Sequence, residues 1–301
     1  MMVGSKQQLP PIEDRKDVSR VENLLSWLMN QKGAAAGLTA EFFAAEEAMG
    51  VEYAQAQRDL VETAKDTLLP GYEMKSLARH EIGADKGFVG PYDRMGWRLQ
   101  REAIEEGRLD KYAAVGWRGE DREDFFVVGA EKLDSCVVVR ISASLSYAAQ
   151  LADHANRVEQ LIGFSRKAWT SLPVFYGCAN LGVSDESGSG RMAGTLIGHW
   201  TEQSKVTLAD FTPPRQDKLA CRLSSKVKGA FWLNLLSDAH VEALGGLSAV
   251  DEALPEDIRI EEFKRGGMLI QLTQTPELDN SPETQAKFES LRGLLAPILV
   301  E

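Results

Sequence analysis

Three residues near the C-terminus come closest to a catalytic pattern. Asp257, Glu262 and Lys264 fall on one strand-like segment, and Glu262-Phe263-Lys264 has the Glu-X-Lys form of metal-dependent nucleases. In such enzymes two carboxylates hold a divalent ion, and the lysine orients water or stabilises developing charge. The pattern here is incomplete. A period of two by itself puts Glu262 and Lys264 on one strand face, and the usual nuclease arrangement takes its first aspartate from a separate, earlier strand. A metal-dependent hydrolase built on these three residues stands as the enzyme alternative.

Other chemistries have less support. His80, His154, His199 and His240 show no HxxH, HExxH or HxH spacing, so no zinc site is expected. In the loop holding Gly182, Gly188 and Gly190, the last glycine is followed by Arg191-Met192 and not by the Lys-Ser/Thr of a phosphate loop. Gly163-Phe164-Ser165 lies within a helical segment and is no nucleophile elbow. Cys136, Cys178 and Cys221 are odd in number and far apart, which argues against a disulfide framework and a zinc knuckle. The sequence points to no catalytic residue, no metal and no cofactor. It reads as a binder and not as an enzyme.

Acidic clusters on loops are the better candidates. Glu120, Asp121, Glu123 and Asp124 surround a predicted hairpin turn with only Arg122 to offset them, and Asp185 and Glu186 occupy the tip of the Gly/Ser loop. Loops held by a rigid sheet are where binding residues concentrate; the plain alternative is a pair of solvated turns. Trp97, Trp117, Trp200 and Trp232 add residues common to cores and to interface hot spots.

The elements that must position these groups follow from periodicity. Val21, Leu24, Leu25 and Leu28 sit at helical spacing behind Asp17 and Ser19, and a second helical segment runs over 40–69 to Pro70-Gly71. Residues 1–70 are therefore expected to form a helical N-terminal subdomain, and 71–301 an α+β domain. Runs over 112–117, 124–129 and 136–144 read as consecutive antiparallel strands. A helix is expected over 147–169, and a strand over 174–180. A strand or strand end is expected over 227–236. Arms at 257–263 and 268–273 meet through Arg265-Gly266-Gly267, a hairpin signal. Ser281-Pro282-Glu283 opens a last helix. The fold class is α+β: an antiparallel sheet covered by helices.

Composition narrows the function classes. The 301 residues are 44% hydrophobic and 26% charged, enough to bury a sizeable core, and carry a formal net charge of −11. That balance disfavours a protein that grips nucleic acid through its phosphates. It suits a protein partner with a basic face. No apolar run reaches bilayer length and the first residues lack a signal-peptide core, so a cytosolic protein is expected, with no membrane partner.

Residues Val227 to Leu236, with Val241-Glu242-Ala243-Leu244-Gly245-Gly246, resemble bacterial immunity proteins of type VI secretion and polymorphic-toxin systems. The hairpin Gly266 to Gln271 and the tail Thr275 to Asn280 extend the similarity, which is clearest over 220–301. These families are paired with nuclease toxins of the restriction-endonuclease-like superfamily. The resemblance implies a cytosolic antidote that occludes its cognate toxin, carries no catalytic residue and uses no cofactor. On that reading Glu120, Asp121, Glu123, Asp124, Asp185 and Glu186 are candidate toxin-binding residues. A non-catalytic scaffold or adaptor is the alternative.

Overall fold

The structure, a computed structural model, describes residues 34–68, 72–118, 121–133, 135–144, 155–185, 192–193, 222–276 and 282–300. Its strands are β1 (Ala34–Ala44), β2 (Glu73–Glu81), β3 (Phe88–Pro91), β4 (Leu109–Arg118), β5 (Asp121–Lys132), β6 (Val137–Ser144), β7 (Val174–Asp185), β8 (Met192–Ala193), β9 (Leu233–Leu236), β10 (Arg259–Glu262) and β11 (Met268–Gln271). They join into one antiparallel sheet ordered β10-β11-β9-β7-β1-β6-β5-β4-β2-β3, with β8 beside β7. The α+β class and the large antiparallel sheet agree with the sequence reading.

Two layers of helix cover the sheet. One face carries α1 (Ala54–Thr63), prolonged by a π-turn over Ala64–Leu68, then α2 (Arg94–Glu105) and α3 (Ala155–Ser171). The other carries α4 (Asp238–Ala243), α5 (Leu247–Ala253) and α6 (Pro282–Leu295). Alternation along β1 sorts the two cores. Leu38, Ala40, Phe42 and Ala44 join the first. Phe43 joins the second, with Tyr176, Leu236, Met268 and Ile270. The α3 helix packs Phe164 on Phe42, with ring centroids 5.9 Å apart. Trp232, 1% exposed, anchors the start of β9 by donating its indole N–H to the Thr273 carbonyl at 2.9 Å.

The N-terminal reading needs correction over residues 40–44. The Ala-rich segment 34–44 is a strand, although alanine is the best helix former. Its place between β6 and β7 decides this, because period-two burial of small and aromatic side chains fills both cores at once. Helix appears only from Glu46 onward, so the sheet draws on both sides of the expected boundary at residue 70. The expected helix over 21–28 lies outside the described residues. Other differences are smaller. The β7 strand runs five residues past Asn180. The 227–236 run is extended only at Leu233–Leu236.

The β10–β11 hairpin forms as its glycines require. Gly266 and Gly267 have φ of +88° and +84°, and a Cβ on Gly267 would collide with the Leu236 carbonyl and the Trp169 ring. No larger residue fits that turn.

Candidate functional site

The strand ladders decide where the acidic candidates lie. Arg118 pairs with Asp121, so Asp121, Glu123 and Asp124 are the first residues of β5 and not part of a loop. Phe126 pairs with Ala143 in β6, Ser144 with Gly37 in β1, and Ala34 with Asp185 in β7. Asp185 therefore ends its strand at the same end of the sheet as the β4–β5 turn. Two strands separate β5 from β7, which places their backbones about 14 Å apart at normal strand spacing. Glu120 and Glu186 lie outside the described residues. Clusters more than sixty positions apart in sequence thus share one end of the sheet.

A second group of charges lies inside the molecule. Glu41 of β1 faces Arg140 across the β6 ladder, and its two carboxylate oxygens accept from Arg140 Nε at 2.9 Å and Lys228 Nζ at 2.6 Å. Arg140 also donates Nη1 to Glu131 at 3.3 Å. All three central side chains are buried: Glu41 1%, Arg140 6% and Lys228 8% exposed. Burial pushes the Glu41 carboxyl up, but the Lys228 ammonium and the Arg140 guanidinium outweigh it, and the net shift is downward. The Lys228 ammonium sits 4.7 Å from the centre of the Phe43 ring, and its backbone N–H donates to the Tyr176 hydroxyl at 3.3 Å. This cluster fastens the segment before β9 to the middle of the sheet. With every central charge paired and dry, its chemistry is cohesion. The sequence reading missed it.

A groove between α1 and α2 was also missed. It encloses about 790 Å³ and is lined by Arg58, Arg94, Arg98 and Arg101, with Val51 and Met95 half exposed at its rim. Trp97 forms part of the wall, with the Arg58 guanidinium 5.8 Å from its ring centre. Arg98 and Arg101 have helix partners in Glu102 and Glu105 at 3.5 and 2.7 Å. Among the described residues Arg58 and Arg94 form no ion pair.

The remaining candidates fall apart as chemical groups. Asp257 pairs with Lys287 at 2.5 Å, Glu262 is exposed at the end of β10, and Lys264 lies in the turn beyond it. Phe263 between them is buried against Trp169. His80 lies 3.2 Å from Asp110, and His240 is buried in a capping box with Ser237. Cys136 and Cys178 are buried free thiols, and burial pushes the Cys178 thiol up to about 12. His154, His199, Cys221 and Trp200 lie outside the described residues. Among those described, no three His, Cys, Asp or Glu side chains gather as metal ligands, and no helix is long and apolar enough to cross a membrane.

Comparison with known proteins adds what geometry cannot. Residues 213–301 match the family model TsiV, type VI immunity for VRR-NUC. The match covers the segment in which the sequence resemblance is clearest, and it bears that resemblance out. Among solved structures, the chain is similar to the Pseudomonas aeruginosa T6SS protein PA0821, with a TM-score of 0.61 and 18% identity. That alignment covers 89% of this chain and 74% of the other, and it shows a shared fold. No curated protein sequence matches the chain.

Proposed function

We propose that the chain is a cytoplasmic immunity protein that binds a cognate type VI nuclease effector and neutralises it by occlusion, with no catalysis and no cofactor of its own. The match of residues 213–301 to the immunity family for VRR-NUC carries this reading. The physics supports it in outline. A nuclease must offer cationic groups to the phosphates it cuts. A protein of net charge −11 competes for such a face, and is itself a poor ligand for nucleic acid.

The acid-bearing end of the sheet is the contact surface in this reading. Glu120, Asp121, Glu123, Asp124, Asp185 and Glu186 would face the toxin's basic groove, speeding encounter and setting register. Apolar anchors at the contact would supply most of the affinity, as is general for tight interfaces. The test is co-purification with the product of the neighbouring gene, followed by a nuclease assay with and without the chain. Reversal of charge at Glu120, Asp121, Glu123 and Asp124 should weaken binding and make it less sensitive to salt. Unchanged affinity in a titration would remove the acidic end from the interface and leave the immunity reading to the nuclease assay.

A further inference from the structure

We propose that the free edge of β3 is a self-association site, at which two copies of the chain pair antiparallel and continue one sheet through both. The strand lies outside the family-matched residues 213–301, so the proposal does not depend on the toxin reading.

The two edges of the sheet are built differently. Strand β10 carries Arg259, Glu261 and Glu262, the charged guard usual on an edge strand. Strand β3 reads Phe88-Val89-Gly90-Pro91, with Phe88 53% and Val89 74% exposed. Ile82, in the turn before it, is 59% exposed. The Arg79 guanidinium lies 5.0 Å from the centre of the Phe88 ring and leaves much of that residue open to solvent. Helix α2 leans back over β2, where Gly96 packs on Leu77, and does not shield the edge.

The backbone sets what can pair there. Tyr92 donates its N–H to the Lys75 carbonyl at 3.2 Å, which extends the β2–β3 register by one pair. Hydrogen-bonded pairs alternate along an antiparallel ladder. Phe88 and Gly90 therefore bond inward to β2, while Gly87, Val89 and Pro91 turn their backbone groups outward. Pro91 offers only a carbonyl. Phe88 and Gly90 share a face, and a Cβ on Gly90 would meet nothing within 4 Å. An incoming strand must bring an N–H to Pro91, a small residue to Phe88 and a large one to Gly90.

The chain's own edge meets all three demands. With Val89 set opposite the partner's Val89 across a two-fold axis, those two residues exchange both hydrogen bonds. Each Gly87 N–H then faces the partner's Pro91 carbonyl. Each Phe88 lies opposite the partner's Gly90, its ring over the open space. Phe-X-Gly read in opposite directions fits itself, as a two-fold interface requires. So short an edge buries little surface, and the dimer forms only as concentration rises.

The experiment is sedimentation equilibrium of the full chain over a dilution series. Its apparent mass should climb toward twice that of one chain as concentration rises. Each copy carries a net charge of −11, so added salt should screen their repulsion and strengthen association. Val89→Lys sets two ammonium groups against each other at the two-fold axis and should weaken the dimer about tenfold or more. Gly90→Val fills the space kept for the partner's Phe88. It should leave the melting temperature equal or higher, since the new side chain meets nothing within one copy and valine favours strands. The same change should weaken the dimer several-fold, whereas an edge that is merely sticky would associate more tightly with the added valine. Four results would each overturn the proposal: a single chain at every concentration, association unmoved by Val89→Lys, a dimer strengthened by Gly90→Val, or association that salt dissolves.

Discussion

Charge is handled in opposite ways at the centre of the sheet and at its end. In the centre, Glu41, Arg140 and Lys228 neutralise one another out of contact with water, so their interaction strength stays inside the fold. At the end, the acidic positions Asp121, Glu123, Asp124 and Asp185 fall where β5 begins and β7 stops. The first arrangement ties segments of one chain together. The second, on the proposed function, is the part that meets a partner. On that proposal the protein uses both: a body whose internal charges are paired, and a rim left for its partner.

The contrast is sharpest in stability. Lys228→Met should destabilise the fold by about 3–5 kcal/mol in denaturant unfolding, because it strips one cation from a buried carboxylate. Replacing Glu41, Arg140 and Lys228 together by apolar residues should recover most of that loss, since the buried group then no longer needs its partners. A triple variant as unstable as the single one would show that the cluster does more than satisfy its own charges. Trp232→Ala, which removes the anchor ahead of β9, should cost a comparable ~3–5 kcal/mol.

Acid separates the two regions as well. The Glu41 carboxyl is held below its ordinary range, so its contribution is complete above the unfolded carboxylate pKa and is lost as pH falls through the lower folded value. The stability gap between the native chain and Glu41→Gln should therefore be widest near neutral pH and narrow in acid. A gap that widens on acidification would mean that the carboxylate is not stabilised where it lies.

Much of this fold is legible in the sequence, and the exceptions share a cause. The β4–β6 strands announce themselves through runs such as Val137-Val138-Val139, and the β10–β11 hairpin through its glycine pair. By contrast, β1 is hidden by alanines that favour helix locally and form a strand only because β6 and β7 flank them. The β2 strand, Glu73–Glu81, is polar and half exposed near the edge of the sheet, so it lacks the alternation that marks a buried strand. The acidic residues were visible as clusters, but only the ladders put Asp185 at the same end as Asp121. Nothing local signals the Glu41 cluster, whose members meet across 99 and 187 positions of chain. The arginine groove is equally silent, because its residues come from two helices separated by β2 and β3.

The smallest expected effect on the fold belongs to the acidic end. On the proposed function, reversing Glu123 and Asp124 to lysine should leave unfolding free energy within about 0.5 kcal/mol, as is usual for substitutions away from the core. The same change should slow association with a basic partner, most clearly at low ionic strength. A large loss of stability would place those residues on the cohesive side of the comparison.

The most direct measurement tests the product of the neighbouring gene for cleavage of duplex DNA, as the chain is added in steps. The account predicts that cleavage ceases near equimolar addition, and that far more of the chain is needed when the acids at the end of the sheet are reversed. A nuclease that keeps its full activity under an excess of the folded chain would contradict it.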